Sequence, residues 1–532
     1  MLLNKKQPKM STPGEVYLDD KWLNPEDAAE KLCSYFLSVS NSTSINENDI
    51  QTELPSGTCL TPPTETEVLN LLSKIREHKA SGLSAIPAWL LRRGRHSIIR
   101  AVMSIIRNIF TNRVFPDAWK SAKVCPIPKK PSPSMSSDFR PISLLDILSK
   151  VVEKTIKRRY QEELKEHLAN QHAYVDRGGT TNALISIFDK WTKALDTGVP
   201  YVRAIMADFT KAFDRMRKDT LLKKQLEYNI DPGLISITQS FLNNRTQSVS
   251  FNGTNSRFMP VTGGVPQGSV LGPWLWLTYI SDLQPCEEFD IYADDITMSI
   301  VARDEASLHR KAQKSIEAVE LWCQANNMSL SLPKTVELLI SAKHSKSASP
   351  INIGRCNIEQ VKSAKLLGIT TDCHLTFSDH VEICRKKAFQ RIYWLRTLKR
   401  FGGRKEGLLR IYHSNIRSLF EYACPAWFPH ITKASRQKIE RTEKCALRAI
   451  FPNLSYEDAI NEHNIIPILS HINNIILTHF TKMKNPNHPL HYLFPPTQWD
   501  ISQRTSASTA RAQIPPGDSE TIFCDHSDKT FQ

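Results

Sequence analysis

The sequence predicts an α+β fold, and three observations carry that expectation. Two apolar, strand-like runs lead to acids, one ending at Asp208 and the other reaching the bend Tyr292-Ala293-Asp294-Asp295. Around them lie stretches whose apolar residues recur at helical spacing. From about residue 378 to 482 the pattern is helical throughout. Helical and strand patterns mixed in this way argue for a layered α+β architecture with a helical C-terminal domain.

Residues 1–60 are polar and read as an N-terminal linker, apart from the helically spaced Ala28-Ala29-Glu30-Lys31-Leu32-Cys33-Ser34-Tyr35-Phe36. From Thr64 onwards Val68, Leu71, Leu72 and Ile75 share one helical face. Gly82 and Pro87 then break the chain. A second helix runs from about Ile98 to Phe110, and Pro116 closes it. Residues 122–128 read as an edge strand, because Pro126 and Pro128 lack the donor that a central strand uses. A Ser/Pro-rich loop over 131–137 leads to Asp138-Phe139-Arg140-Pro141-Ile142-Ser143-Leu144, and a helix follows to about His167.

Val202, Ala204 and Met206 lie on one strand face leading to Asp208, and a helix is expected around 217–228. Residues 248–262 alternate around Asn252-Gly253, a hairpin-turn signal. After Asp295, Ile296, Met298 and Ile300 alternate with Thr297 and Ser299, which makes the return arm of a hairpin with the acids at its bend. Residues 305–326 form an amphipathic helix, and 336–341 and 364–370 read as short strands either side of a Lys/Ser loop. Beyond Asn485 the Pro, Ser and Thr content rises and periodicity ends, so 483–532 reads as a disordered tail.

At 532 residues the chain should divide into several substructures. Its net charge of +15 points to a polyanionic partner, nucleic acid ahead of an acidic membrane. No apolar run approaches the roughly 20 residues of a membrane helix, and the N-terminus lacks the apolar stretch of a secretory signal. Nucleus and cytoplasm are the expected locations. Eleven cysteines without any C-x-x-C argue against a structural zinc site and fit reduced thiols.

The acids carry the chemistry. One Ala-Asp-Asp alone would be a solvated turn, because Asp favours turns. Three carboxylates converging from two strands would instead hold two magnesium ions about 3.5–4 Å apart for in-line attack on a phosphate. Magnesium prefers oxygen ligands and shares its shell with substrate phosphates, which suits Asp.

The series Asp208-Phe209-Thr210-Lys211-Ala212-Phe213-Asp214, Gly264-Val265-Pro266-Gln267-Gly268-Ser269 and Tyr292-Ala293-Asp294-Asp295 resembles the palm of a reverse transcriptase. Pro126-Ile127-Pro128-Lys129, the run from Phe139 to Leu144, and Leu367-Gly368-Ile369 narrow the resemblance to non-LTR (LINE-type, jockey/CR1-like) retrotransposon polymerases over roughly residues 60–480. It implies a right-hand fold: fingers and N-terminal helices over 61–200, a palm with an antiparallel sheet over 201–377, and a helical thumb over 378–482.

The resemblance also implies roles. Asp208 and Asp294 would ligate both magnesium ions (manganese being an alternative), with Asp295 in a supporting part. Phe213 stands at the steric gate that excludes a 2′-hydroxyl. Lys129 and Arg140 match contacts to the incoming deoxynucleoside triphosphate, and Gln267 and Gly268 the loop that meets nucleotide or template. Lys334 matches a lysine that protonates departing pyrophosphate. Leu366-Leu367-Gly368-Ile369 matches the primer grip. In the thumb, Arg385, Lys386, Lys387, Arg391, Arg396, Lys399, Arg400 and Arg404 interleave with Phe389, Tyr393, Trp394 and Phe401, a pattern suited to the backbone of an RNA template–DNA primer duplex.

Some positions depart from the pattern. Ser84 stands where relatives carry Asp, the stretch from His172 to Thr180 fits loosely, and Trp274 and Trp276 replace smaller or aliphatic residues. Intact elements carry an upstream endonuclease, so that activity is expected from a missing domain or another protein. Two alternatives stay open: a truncated or inactive remnant that still binds nucleic acid, and a group II intron-type polymerase. The absence of a zinc-binding nuclease pattern argues against the second.

Overall fold

The computed structural model describes residues 15–40, 60–199, 201–341 and 348–494. The chain divides into two compact units, residues 1–478 and 479–532. Most of the expected tail, residues 495–532, and parts of the expected linker, residues 1–14 and 41–59, lie outside the described residues. The rest of that linker is structured. Strands β1 (Val16–Leu18) and β2 (Lys21–Leu23) form a hairpin, and helix α1 (Pro25–Ser40) follows. Leu32, Cys33, Phe36 and Leu37 bury one face of α1 in a small core with Val124, Phe139 and Val249. The helically spaced run from Ala28 to Phe36 is the middle of this helix, which extends further at both ends.

Helices α2 (Glu65–Ser73), α3 (Ala88–Arg93) and α4 (Arg95–Asn112) come next. A reciprocal capping box between Thr64 and Glu67 starts α2 where the sequence reading placed it. Strands β3 (Ser121–Pro128) and β4 (Phe139–Leu144) pair antiparallel, and helix α5 (Ile147–Glu163) follows.

Helix α6 (Thr180–Asp196) precedes β5 (Val202–Asp208), and helices α7 (Ala212–Arg215), α8 (Lys218–Glu227) and α9 (Pro232–Leu242) come after it. The N-terminal sheet is completed by β6 (Arg245–Phe251), β7 (Thr254–Asn255) and β8 (Met259–Val261), in the order β4-β3-β6-β7 with β8 also on β6. Asn252 and Gly253 turn the chain with φ of 46° and 88°, the positive values a tight hairpin needs.

The reading of residues 122–128 as an edge strand is corrected here: β3 lies between β4 and β6. Its parallel pairing with β6 spans only Ser121 to Val124, whereas Pro126 and Pro128 face β4 alone. The prolines occupy the half of a central strand that behaves as an edge, so no ladder donor is lost.

Helix α10 (Gly272–Ile280) leads into the hairpin β9 (Phe289–Tyr292) and β10 (Asp295–Ile300), then helix α11 (Glu305–Ala325) and β11 (Val336–Ile340). Three short strands follow, β12 (Asn352–Ile353), β13 (Cys356–Asn357) and β14 (Glu359–Val361). The central sheet has the order β14-β11-β5-β10-β9. As its middle strand, β5 is buried from Val202 to Ala207, on both faces rather than one. Arg203 and Glu337 form a fully buried ion pair across β5 and β11, and the arginine also donates to the Ser349 carbonyl at 2.7 Å.

The segment around 364–370 is a hairpin, β15 (Ser363–Leu366) and β16 (Ile369–Asp372), turned by Leu367 and Gly368 at positive φ. The C-terminal helices begin with α12 (Ser378–Arg400) and α13 (Lys405–Ile411). A π-helical stretch, Tyr412–Arg417, leads to the short α14 (Ser418–Glu421) and α15 (Cys424–Trp427), then α16 (Lys433–Ile450) and α17 (Tyr456–Glu462). Buried Glu443 accepts from Tyr412, Tyr456 and the Ile468 N–H, which ties these helices together. Among the described residues no helix is long and apolar enough to cross a membrane.

Candidate active site

Asp208 ends β5, and Asp295 sits opposite it in the antiparallel register of β10. The β9–β10 link is only Ala293 and Asp294, because Tyr292 pairs with Asp295. A hairpin this tight needs positive φ within its turn, and Ala293 supplies it at 59°. For a residue with a side chain that conformation costs about 1–2 kcal/mol.

Two buried side chains offset the cost. Trp276 Nε1 donates to the Ala293 carbonyl at 2.8 Å, and the Ala293 N–H donates to Gln171 Oε1 at 3.0 Å. Each such bond contributes about 1 kcal/mol net. Gln171 is held there because residues 170–172 run alongside β9. The Ile291 N–H donates to the Asn170 carbonyl, and the His172 N–H to the Ile291 carbonyl. Beneath them the buried Asp290 carboxylate meets His172 Nε2, the Ser186 hydroxyl and the Lys190 ammonium, each at 2.8 Å. Against the cost of burial, His172 and Lys190 hold this carboxyl below the usual range.

Sequence reasoning missed Gln171 and treated Trp276 only as a departure. The available signal was the pair of large indoles within an apolar helix, since a buried Trp N–H usually finds an acceptor. The Trp276 ring also lies 5.9 Å from Phe209 and 5.7 Å from Phe213, so the same residue braces both acid-bearing segments.

The acids repel one another. Burial first, and then the neighbouring Asp208, raise the Asp294 carboxyl. Asp295 is exposed to solvent, yet partial burial, Asp294 and Asp208 push it up to about 6. The Lys334 ammonium pairs with Asp208 Oδ2. Backbone pairing sets this up: the Ser331 N–H donates to the Asp208 carbonyl at 2.8 Å, and the Thr210 N–H to the Ser329 carbonyl at 2.9 Å. Among the described residues no group of three or more His, Cys, Asp or Glu side chains is gathered tightly enough to hold a metal. An all-oxygen set of mutually repelling carboxylates, already drawing in an ammonium, nevertheless fits a hard divalent cation.

Several of the residues expected to contact nucleotide lie in the neighbourhood of the acids. Phe213 is half-buried on α7 beside Trp276. Gly264 must be glycine: its φ is 68°, and a Cβ there would lie 2.7 Å from the Asp214 carbonyl. At Gly268, with φ 110°, a Cβ would lie 2.9 Å from the Ser143 carbonyl. The Gln267 amide donates to Asp214 Oδ1 at 2.7 Å, and the Gln267 carbonyl accepts from the Ser143 N–H at 2.7 Å. In this structure Gln267 therefore fixes its loop to α7 and β4.

Lys129 donates to the Ser137 carbonyl at 2.8 Å, and Arg140 is exposed. Burial, followed by the charges of Lys211 and Arg140, lowers the Lys129 ammonium, so these cations share one neighbourhood. Lys211 was not singled out from the sequence, although it lies inside the Asp208–Asp214 run. Its ammonium meets the Tyr35 hydroxyl at 2.5 Å and lies 4.3 Å from that ring. A helix from the expected linker thus reaches the site.

The β15–β16 turn is held from the helical region. The Tyr422 hydroxyl donates to the Leu367 carbonyl at 2.7 Å, and Gly368 has φ 93° against the Tyr422 ring. The eight expected cations, seven on α12 and Arg404 at the start of α13, divide. Arg385 pairs with Glu382 at 2.7 Å, Lys399 donates to the Ile450 carbonyl at 2.5 Å, and Arg391 donates to the Asn415 carbonyl. Lys386, Lys387, Arg396, Arg400 and Arg404 are exposed and have no ion-pair partner among the described residues. Tyr393 and Phe401 stand 66% and 82% exposed beside them.

Residues 127–371 match the family model described as reverse transcriptase (RNA-dependent DNA polymerase). The RNA-directed DNA polymerase from mobile element jockey of Drosophila melanogaster is 30% identical, over 63% of this chain and 37% of its own length. The probable RNA-directed DNA polymerase from transposon BS of the same organism is 27% identical, over 76% of this chain and 46% of its own. The chain thus spans less than half the length of these relatives. A solved apo telomerase from Candida tropicalis aligns over 84% of each chain, with 14% identity and a TM-score of 0.39.

Proposed function

We propose that this chain, whose residues 127–371 are a reverse transcriptase domain resembling those of non-LTR retrotransposons, works as an RNA-directed DNA polymerase of the right-hand fold. It would extend a DNA primer 3′-hydroxyl on an RNA template, adding deoxynucleotides and releasing pyrophosphate. The observation that carries this reading is the register of β5 and β10, which sets Asp295 opposite Asp208 with Asp294 in the adjoining two-residue turn.

Asp208 and Asp294 would hold two magnesium ions, or manganese in their place, with Asp295 supporting them. Such a pair, when bound, activates the primer hydroxyl and neutralises charge on the leaving pyrophosphate. The remaining work falls to the chain itself. Lys129 and Arg140 bind the triphosphate, Arg140 by the bidentate geometry that suits phosphate. Phe213, braced on Trp276, lies under the sugar and excludes a 2′-hydroxyl. Lys334 leaves Asp208 to give its proton to the departing pyrophosphate. Gly268 keeps the 264–268 loop close to nucleotide and template, with Gln267 tying that loop down. The β15–β16 turn positions the primer end, and the free cations of α12 hold the duplex backbone. These elements act as fingers, palm and thumb.

A polymerase of this kind would act in the nucleus and cytoplasm, with the nick for target priming made by an endonuclease domain or another protein. Primer extension tests the reading. With Mg²⁺, the chain should extend oligo-dT on poly(rA), and Asp294→Asn should abolish the activity. If the unaltered chain adds no nucleotide, the binding-only remnant becomes the better account.

A further inference from the structure

The face of α5 turned away from the core gathers charge that the site described above does not use. Lys150, Lys154, Lys157 and Arg158 recur at helical spacing on one side of the helix, while Val151, Val152, Ile156 and Tyr160 fill the other. Lys74, at the end of α2, and Lys79, just beyond it, add two exposed cations. Burial comes first in lowering the Lys154 ammonium, and then Lys79, Lys157, Lys74 and Arg158 lower it further, which places all of them in one neighbourhood. Lys150 is lowered in the same way, by burial and then by Lys79.

The acids nearby are already engaged. Glu67 pairs with Arg158 at 2.9 Å. The Asp146 carboxylate accepts from the Ser84 N–H at 2.9 Å. Glu153 is fully buried and accepts from the N–H groups of Val270 and Leu271, at the start of α10. Asp176 lends Lys157 a favourable charge without pairing with it. Among the described residues Lys74, Lys79, Lys150, Lys154 and Lys157 have no ion-pair partner, whereas Lys120, Lys190, Lys193 and Lys224 all do.

The position of this face indicates which polyanion it meets. Through Glu153 and α10, α5 is fixed to the 264–271 loop, and Lys157 lies 5.3 Å from the Trp274 ring. At its other end the 82–87 loop packs Gly82 against Asp146 and exposes Leu83, and Trp89 on α3 is exposed beyond it. The cations of α12 belong to a different element. A row of cations beside the 264–271 loop suits single-stranded nucleic acid, whose phosphates need charge along their path.

We propose that the α5 face, with Lys74 and Lys79, is a track for the single-stranded RNA template ahead of the duplex, separate from the thumb contacts. This rests on the polymerase reading for the identity of the strand. Its test needs no nucleotide addition, so failure of one can be told from failure of the other.

The experiment compares binding of two probes by fluorescence anisotropy across a salt series. One is a blunt RNA–DNA duplex, and the other is the same duplex with a 5′ RNA overhang of about 15 nucleotides, near the upper single-strand site size of one binding fold. The unaltered chain should bind the overhang probe more tightly. Lys150→Gln combined with Lys154→Gln should weaken the overhang probe about tenfold and make its salt dependence shallower by about 1.4, two phosphates at about 0.7 each. Blunt-duplex affinity and the thermal melt should not change. Lys154→Glu alone should act in the same direction and serves if the double variant folds poorly. An unchanged overhang preference, or an equal loss on both probes, would overturn the proposal.

Discussion

The β9–β10 turn and helix α12 both present groups that fit a polymerase site, yet they are built in opposite ways. In the turn, Ala293 is tied at both its N–H and its carbonyl by buried side chains, and the acids beside it stand on two paired strands. On α12, Lys386, Lys387, Arg396 and Arg400 face solvent beside exposed Tyr393 and Trp394, and among the described residues these four cations have no ion-pair partner. Reaction geometry tolerates little error, so the groups that perform it must be held in advance. Attraction to a phosphate backbone acts over about 8–10 Å at working salt and asks only for charge on the right face. The contrast predicts that substitutions in the first region act on turnover and those in the second on affinity.

The largest effect should come from Asp208→Asn, which removes one cross-strand carboxylate while keeping its size. Single-nucleotide incorporation should fall by on the order of 10³-fold or more, with template–primer affinity held within a factor of about two. A proportionate loss of affinity would break the comparison, because the acid would then be serving the duplex as well.

Trp276→Phe sharpens it further. The ring that packs on Phe209 and Phe213 is retained, and only the N–H to the Ala293 carbonyl goes. A buried acceptor left unpaired costs about 1–3 kcal/mol, and here the cost falls on the turn that carries Asp294. The turnover number should drop roughly tenfold to a hundredfold, at about 1.4 kcal/mol per decade of rate. KM for the nucleotide should change much less. A variant that melts earlier but keeps its turnover would make Trp276 a packing residue alone.

For the helix, replacing Lys386, Arg396 and Arg400 together by Gln should weaken duplex binding about tenfold at moderate salt. The slope of affinity against salt should become shallower by about 2–3, and turnover at saturating duplex should stay unchanged. The same three changes made at Arg385, Arg391 and Lys399 should cost stability instead, since those side chains already bond within the protein.

The sequence reading reached the two regions to different depths for a physical reason. The acids were legible because strand alternation and the Ala-Asp bend are local signals. The run on α12 was legible as charge, but not which members were free: Glu382 lies just outside the run, and the carbonyls that take Arg391 and Lys399 come from residues 415 and 450. Gln171, Trp276 and the Tyr35–Lys211 contact join residues 122, 17 and 176 positions from their partners, and no periodicity reports such pairs. The β3 prolines misled because where β6 stops pairing cannot be seen from β3 alone. Helical spacing showed the middle of α1, but not that its apolar face packs into a core with the distant Val124, Phe139 and Val249.

The smallest effect concerns the joint between the two regions, where α12 packs on the β15–β16 hairpin. His380 is buried there, with the Trp427 ring 4.9 Å away, Cys384 beside Nε2, and the Thr370 N–H donating to Nδ1 at 3.4 Å. A donor aimed at Nδ1 requires the neutral imidazole. Burial, and then the charge of Lys387, lower this group to about 4. The unfolded chain, with its histidine near 6.5, therefore binds a proton that the folded chain refuses between about pH 6.5 and 4. Stability is full above that window and falls as the pH drops through it. His380→Gln should flatten this part of a plot of melting temperature against pH by a few degrees, since about 1 kcal/mol moves a large domain by roughly 2–4 °C. It should leave turnover at pH 8 unchanged, because no charge there is altered. If the slope below pH 6.5 survives the substitution, other groups set it, and the joint is held by packing and by the Tyr422 hydroxyl on Leu367.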